Sequence, residues 1–595
     1  MPNYSAPLRD MHFVLHELLD VESAYKALPA YKDLDAETIN QVLEEAGKFA
    51  SEVIAPLNQV GDRDGCTRND DGSVTTPAGF AEAYRQYAEA GWPSLACDPA
   101  HGGQGLPLVL NTALYEMLNS ANQAWAMYPG LSHGAYECLH EHGTPEQQRT
   151  YLAKLVSGAW LGTMCLTEPQ CGTDLGLIRT KAQPLADGTY AISGTKIFIS
   201  SGEHDIGENI VHLVLARLPD APKGTKGISL FVVPKFQPDA QGEPGVRNAV
   251  TCGSIESKMG IHGNATCTMN FDGAIGTLVG EPHRGLAAMF IMMNSARLGV
   301  GMQSVGLTEV AYQNSVTYAR DRLQMRSLKG AKAPQLEADP IIVHPDVRRM
   351  LLTQRAWAEG ARAFTYWVAQ LIDTELHHPD ESVRKESADL VELLTPIVKA
   401  FITDNAFAST NEGLQVYGGH GYIAGWGMEQ FVRDARINMI YEGTNTIQSL
   451  DLLGRKVLGD MGARLRKLGK IIKDFIEEEG VRKPMTEFID PLAELAKTFE
   501  KLTMEIGMKA MMNRDEAGAV AVPYLRIAGH LVYAYLFARM ARIALSRKES
   551  GDTFYEAKLA TARFYFAKLL PETASQIAAV RSGSSTLMAL DAALF

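Results

Sequence analysis

The 595-residue sequence lacks the features that would mark a disulfide-built, zinc-binding or nucleic-acid-binding protein. It has only seven cysteines (Cys66, Cys97, Cys138, Cys165, Cys171, Cys252 and Cys267), and none forms a Cys-x-x-Cys pair. No histidine cluster stands at zinc-ligand spacing, so no metal site is expected, and the thiols read as buried or free in a reducing compartment. Long Lys/Arg clusters are missing and the formal net charge is −13. That balance argues against general nucleic-acid binding while leaving room for a local basic site. Arg9, Asp10, His12, His16 and Glu17 break up the apolar residues of the N-terminus, which therefore does not read as a signal peptide. The most apolar stretch near the C-terminus, Leu531 to Ala538, runs into Arg539 and Arg542, short of the ~20 residues of a membrane span. No internal repeat is visible. The expectation is a cytoplasmic protein with no integral membrane segment and no nucleic-acid partner.

Hydrophobic residues make up 46% and charged residues 21%, which is ordinary for a globular chain. After Asp35, an N-cap residue type, Ile39, Val42, Leu43, Ala46, Phe49, Ala50, Val53 and Ile54 form an amphipathic helical stripe that Pro56 is expected to close. A second helical block spans about 112–139, interrupted at Pro129-Gly130, and a third runs from Pro145 to Val156. Between about 160 and 282 the texture changes to short β-rich runs separated by Gly, Pro, Asp and Asn, as in an antiparallel barrel or sandwich. Helical periodicity then persists almost to the end. The fold class is α+β, in four parts: an N-terminal helical domain (1–159), a central antiparallel β domain (160–283), a C-terminal helical bundle (284–455) and an additional helical domain (456–595).

Three segments carry polar groups in unusual settings. Leu161-Gly-Thr-Met-Cys-Leu-Thr-Glu-Pro-Gln-Cys-Gly-Thr-Asp-Leu-Gly176 reads as a strand followed by a turn rich in hydroxyls. Such a turn either presents N–H and O–H groups to a heterocycle or phosphate or is simply a turn. In Gln415-Val-Tyr-Gly-Gly-His-Gly-Tyr422 three glycines follow a long helix, permitting a C-cap and clearing side chains from a surface. In Arg433-Asp-Ala-Arg-Ile-Asn-Met-Ile-Tyr-Glu-Gly-Thr-Asn-Thr-Ile-Gln448, Glu442 follows the apolar pair Met439-Ile440. A carboxylate in apolar surroundings suits a general base, whereas a lone glutamate is ordinarily a solvated surface residue.

Together with Phe198-Ile-Ser200, the ESKMGIHG run at 256–263 and RDRLQMR at 320–326, these segments resemble the acyl-CoA dehydrogenase family over roughly residues 35 to 455. The resemblance implies removal of an α proton and a β hydride from an acyl-CoA thioester, giving a trans-2-enoyl-CoA and reduced FAD. It places the base at Glu442. An alternative base position used by some members is Ala296 here, which cannot take a proton. By the same resemblance FAD meets Met164, Leu166, Thr167, Gly172, Thr173, Phe198, Ile199 and Ser200. Arg322 reaches the pyrophosphate of a neighbouring subunit's FAD, Gln415, Gly418 and Gly419 meet that same dinucleotide, and Thr444 and Thr446 its adenine end. Thr173, Asn294, Arg297 and Gly443 fall on the acyl-CoA side. Phe198 replaces a usual Trp, Met325 a usual Phe and Asn294 a common Asp.

The long segment after Arg326 and about 140 residues beyond 455 are similar to bacterial members of about 600 residues, among them dehydrogenases of 3-methylthiopropanoyl-CoA. The first substrate expectation is a straight medium- or long-chain fatty acyl-CoA, with 3-methylthiopropanoyl-CoA as the alternative. An electron-transfer flavoprotein is the expected acceptor. An acyl-CoA oxidase and a catalytically idle scaffold are the rival readings, opposed by Glu168-Pro169 and by the intact Glu442 respectively. Leu465, Leu468, Ile471, Ile472 and Phe475 form a helical stripe that needs a partner surface, expected to be the bundle face used for tetramer contacts in shorter members. A homodimer follows. The basic residues Arg464, Arg466, Lys467, Lys470 and Lys473 read as a solvated face in preference to a membrane contact, because Glu477-Glu-Glu479 follows at once.

Overall fold

The computed structural model describes residues 2–595. The chain folds into two compact units, one formed by Ala46–Gly299 and the other by Met1–Glu45 with Val300–Phe595.

The core of Ala46–Gly299 is a seven-stranded sheet. Its strands are β1 (Trp160–Cys165), β2 (Lys181–Pro184), β3 (Tyr190–Ser200), β4 (Asn209–Ala216), β5 (Ser229–Pro234), β6 (Val250–Ile255) and β7 (Thr266–Val279). They lie in the order β1-β4-β5-β7-β3-β2, with β6 also on β7. Every pairing is antiparallel, as the alternating strand-and-turn sequence implies, except that β1 runs parallel to β4. The chain between those two strands makes the turn at 166–180 and the β2–β3 hairpin, which gives it the length that a parallel return requires. β4 and β5 are buried along their whole length, which is why they read as continuous apolar runs.

β1 packs directly on the Leu108–His142 helix. A Cβ at Gly162 would come within 2.3 Å of Ala135 Cβ, and the Gly162 N–H donates to Ser132 Oγ at 3.0 Å. The expected interruption of this helix at Pro129 does not occur. The non-helical residue is Asn122 (φ −165°, ψ 95°), whose Oδ1 accepts the Trp125 N–H at 3.1 Å and so caps a restarted helix. Pro129 removes only one helical donor, and the turns continue through it. Pro56 likewise does not end its helix. Ala36–Phe49 passes through a wider turn (Ala50–Ile54) and a tighter one (Ala55–Leu57), in which the proline needs no donor, and resumes at Asn58–Asp64.

In the other unit, Pro345–His377, Glu381–Tyr417 and Met428–Asn438 are helices of the bundle, and Ala463–Glu479, Thr486–Met512, Asp515–Ser546 and Glu572–Ser582 follow it. Asp515–Ser546 is long and apolar enough to cross a membrane, contrary to the short stretch that the sequence suggested, but 83% of its most apolar window is buried inside the fold. It is apolar all round because it lies between other helices. Gly529 abuts the Phe401 ring and Gly360 abuts Tyr533, each with less than 2.5 Å of room for a Cβ. Gly285–Asp321 passes the same length test, with 44% of its window buried.

The stripe on Ala463–Glu479 buries Leu468, Ile472 and Phe475, and Leu465 and Leu468 face Leu393 and Ile397 of the bundle. Four of the five basic residues on this helix stand against carboxylates, and Arg466 donates to Met461 O at 2.8 Å. Arg464 meets Glu392 at 2.7 Å and Lys467 meets Asp389 at 2.6 Å, while Lys470 pairs with Asp474 one turn away. Glu479 ends this helix. It is fully buried and accepts from Arg542 at 3.2 Å. A buried charge network ties Asp10 to Arg362 and Lys558, with Lys558 also on Glu359 and Arg362 on Glu309. Burial opposes ionisation of Asp10, but the two cations hold its carboxyl down to about 2.

Candidate active site

The sequence-derived residues gather at one place in Ala46–Gly299 and at two in the larger unit. The first is the turn after β1. Glu168, 4% exposed, closes it: the Glu168 N–H donates to Cys171 O, and the Cys171 N–H returns the bond to Glu168 O. Its carboxylate accepts from Lys196 Nζ (2.8 Å), Thr180 Oγ1 (2.6 Å), Gln170 Nε2 (2.6 Å) and the N–H groups of Arg179 and Thr180. Burial raises the carboxyl's pKa, but the ammonium and the donors overcome that effect and hold it at about 2. Lys196, itself 0% exposed, also donates to Leu166 O at 3.0 Å. One buried ion pair thus fixes Leu166 and Thr167 against β3, where the Ile197 N–H donates to Thr167 O at 2.9 Å.

Phe198 then takes φ +59°, and the β3–β7 register shifts beside it. This left-handed residue turns an aromatic ring outward, 59% exposed, while Ile199 stays buried. Met164, Leu166 and Thr167 are partly buried, and Gly172 and Thr173 are exposed at the turn. An accessible apolar surface bordered by backbone donors and hydroxyls fits a flat, polar-edged ring system such as flavin. On the Gly285–Asp321 helix, Arg297 Nη1 donates to Asn294 Oδ1 at 3.3 Å, leaving the pair on one helical face one turn apart.

The second group lies at the ends of two bundle helices. Tyr318 stacks on Tyr417 with ring centroids 4.0 Å apart and bonds His420 Nδ1 at 2.9 Å. This joins the helix end before Arg322 to the Gln415–Gly419 segment. Arg322 and Gln415 are exposed there, and Gly418 takes φ +58° as the helix cap. A Cβ built on Gly418 or Gly419 meets nothing within 4 Å, so the backbone is open to a bulky anion such as the pyrophosphate of FAD. His420 stacks on Trp426, a structural setting rather than a ligand's. Among the described residues no group of His, Cys, Asp and Glu is arranged to hold a metal ion.

The third group is the loop at 439–444, where Glu442 is partly buried and takes φ +58°, followed by Gly443 at φ +85°. A left-handed glutamate is strained and persists where its surroundings over-determine it. Lys399, 0% exposed, donates from Nζ to Gly443 O at 2.7 Å and to Asn445 Oδ1 at 2.8 Å. Gln448, also fully buried, donates from Nε2 to Glu442 O at 3.2 Å and to Gly443 O at 3.4 Å. Tyr441 Oη donates to Gln303 Oε1 and to Asn438 Oδ1, and Asn438 Nδ2 donates to Ser304 Oγ. Thr444 caps the following helix through the Ile447 N–H, and Thr446 is exposed.

Lys196, Lys399, Asn445 and Gln448 were not singled out from sequence. The available signal was a lysine inside an apolar run, Lys196 in the Thr195-Lys-Ile-Phe-Ile strand and Lys399 in the Ile397-Val-Lys-Ala-Phe401 helix, where a solvated cation has no place.

Four family models match in succession: acyl-CoA dehydrogenase N-terminal domain over residues 36–159, middle domain over 163–274, C-terminal domain over 283–458, and an acetyl-CoA dehydrogenase C-terminal-like segment over 468–591. A 3-methylmercaptopropionyl-CoA dehydrogenase of Ruegeria pomeroyi is 43% identical over 98% of this chain and 99% of its own. The broad-specificity linear acyl-CoA dehydrogenase FadE5 of Mycobacterium tuberculosis is 36% identical over the full length of both. Among solved structures, Caenorhabditis elegans ACDH-11 in complex with C11-CoA shares the fold, with a TM-score of 0.78 at 20% identity, covering 95% of this chain and 92% of that one. Bacillus anthracis acyl-CoA dehydrogenase complexed with FAD does so with a TM-score of 0.74 at 22% identity, covering 95% and 90%. The chain belongs to the acyl-CoA dehydrogenase family and is an FAD-dependent oxidoreductase acting on acyl-CoA.

Proposed function

We propose that Glu442 is the base of this dehydrogenase and that its substrate is a short acyl-CoA of the 3-methylthiopropanoyl type. The observation that carries the base assignment is the strained, multiply anchored Glu442–Gly443 turn, a backbone held in a form that serves no packing need. The α proton of a thioester is weakly acidic, so charge develops on the carbonyl oxygen as Glu442 takes the proton. The Glu442 N–H is the chain's donor to that oxygen. Bound FAD supplies the hydride acceptor. Thr173, Asn294, Arg297 and Gly443 bind the CoA thioester. Met164, Leu166, Thr167, Gly172, Thr173, Phe198, Ile199 and Ser200 seat the flavin ring. Arg322, Gln415, Gly418 and Gly419 serve the pyrophosphate of a partner subunit's FAD, and Thr444 and Thr446 its adenine end.

Two features support a short acyl chain. One is the 43% identity with the Ruegeria enzyme along the whole chain. The other is the packing of Met292, buried beside the equally buried Met289, against Gly134, whose Cβ position lies 3.0 Å from Met292 Cγ. A long acyl tail between these helices would have to displace that thioether. The second reading is a medium- or long-chain fatty acyl-CoA, in keeping with the broad specificity for linear acyl-CoA in the name of the Mycobacterium relative.

Anaerobic bleaching of the flavin by a ladder of acyl-CoAs tests the whole reading. Short thioesters should bleach the wild-type enzyme, Met292→Ala should extend the range to longer chains, and Glu442→Gln should bind acyl-CoA without bleaching. Bleaching only by long chains would reject the short-chain assignment. Absence of peroxide under air would support an electron-transfer flavoprotein as acceptor over oxygen. The protein acts as a cytoplasmic homodimer whose C-terminal helices cover the bundle. Light scattering that read a mass near four chains would reject the dimer.

A further inference from the structure

The Glu442–Gly443 turn is anchored by an ammonium group that the proposed chemistry does not consume. Lys399 lies in the middle of Glu381–Tyr417, within an apolar run, and its side chain has no access to solvent. Burying an ammonium is strongly unfavourable unless acceptors satisfy it, and a plain aliphatic residue would serve the packing as well. Two of the acceptors it finds belong to the base loop: Gly443 O at 2.7 Å and Asn445 Oδ1 at 2.8 Å. Asn445 in turn donates from Nδ2 to Asp404 Oδ1 at 2.6 Å and to Thr403 Oγ1 at 2.9 Å. The Asp404 carboxylate thus joins this network through the Asn445 amide. Gln448 Nε2 holds the Glu442 carbonyl at 3.2 Å from the other side.

Both carbonyls of the two-residue left-handed turn are thus gripped by buried side chains. With its carbonyls fixed, the two peptide planes after Glu442 are held in place, which restricts its backbone dihedrals and, through them, the placement of its carboxylate and N–H.

We propose that Lys399 is a positioning residue for Glu442. Its ammonium donates to the Gly443 carbonyl and so holds the Glu442 carboxylate and N–H in the geometry that proton abstraction needs. The inference rests on the reading of Glu442 as the base. The transferred proton passes from the substrate α carbon to the Glu442 carboxylate. Lys399 gives up no proton and touches no reacting atom.

The test is a double-mutant cycle on the FAD-loaded enzyme with Lys399→Met, Glu442→Gln and the double variant. The readouts are flavin content, acyl-CoA affinity, and the single-turnover rate of flavin reduction by α-protonated and α-deuterated substrate. Misplacement by about 1 Å at a reacting centre slows chemistry on the order of 100-fold. Lys399→Met should therefore reduce the flavin roughly 10- to 100-fold more slowly, with a larger α-deuterium effect and nearly unchanged acyl-CoA affinity. In the Glu442→Gln background the same change should cost almost nothing further, because the group it positions is gone. An unchanged rate and isotope effect in Lys399→Met, or an equal loss in both backgrounds, would overturn the proposal. If Lys399→Met does not fold, Asn445→Ser, which removes the amide that orients the ammonium, goes through the same cycle with the same two outcomes. Near-wild-type reduction by Glu442→Gln would remove the base reading itself. An inactive Glu442→Gln beside a fully active Lys399→Met would remove only the role of Lys399.

Discussion

The turn after β1 and the loop at Glu442 use the same device with different wiring. The first lies against β3, where Phe198 takes φ +59°, and the second contains its own left-handed residue, Glu442 at φ +58°. Each is secured by a fully buried lysine that donates to a backbone carbonyl, Lys196 to Leu166 and Lys399 to Gly443. The difference lies in the second acceptor. Lys196 meets the Glu168 carboxylate directly, and four further donors complete that carboxylate. Lys399 meets the amide of Asn445, and the carboxylate of Asp404 stands one bond further on. A closed ion pair makes a rigid support for the turn above it. At the Glu442 loop the Asn445 amide links the ammonium to that second carboxylate.

The largest effect is expected from removing the cation of the ion pair. Lys196→Met leaves Glu168 buried without its cation, a change that ordinarily destabilises by about 3–5 kcal/mol. Urea unfolding should show that loss together with flavin release. A stable, flavin-replete Lys196→Met enzyme would mean that the pair does not hold the turn.

The pH dependence sharpens the same point. Glu168 falls from its ordinary 4.5 to about 2 in the folded chain. The pair therefore contributes fully above pH 4.5, and its contribution fades as pH drops from there through about 2. The shift corresponds to about 3 kcal/mol. Wild type should lose this amount over that range, whereas Glu168→Gln should show a flatter acid limb. Parallel acid limbs would contradict the ion-pair account.

The smallest expected effect is at Arg322. Its guanidinium is exposed in the isolated chain, and a hydrogen bond to a charged group is worth about 1.5–3 kcal/mol. Arg322→Ala should weaken FAD retention roughly tenfold, read as flavin content after gel filtration, without loss of fold. Full occupancy would place the pyrophosphate elsewhere.

The sequence carried the element types well because long helices and short strands differ in apolar period, and the Gly-rich and Glu-Pro segments survive as local strings. It misread Pro56 and Pro129, since a proline ends a helix only where no irregular turn or later continuation absorbs the missing donor. Nothing local marked Glu479 as buried, because its partner, Arg542, is 63 residues away. Distance along the chain also hid the site's supports. Lys196 lies 28 residues from Glu168 and Lys399 lies 44 from Gly443, so no local pattern links either lysine to the turn it holds. Glu442 stood out only through the Tyr-Glu-Gly-Thr string, while nothing local announced its left-handed backbone or the bonds from Lys399 and Gln448 to its turn.

Proton transfer can be measured apart from the rest of the reaction with acetyl-CoA, whose thioester has α hydrogens but no β carbon from which a hydride could leave. The FAD-loaded enzyme should exchange those α hydrogens with deuterium from heavy water faster than Glu442→Gln does, by on the order of 100-fold or more for a general base. Equal exchange by the two proteins, with equal acetyl-CoA binding, would contradict Glu442 as the group that takes the proton.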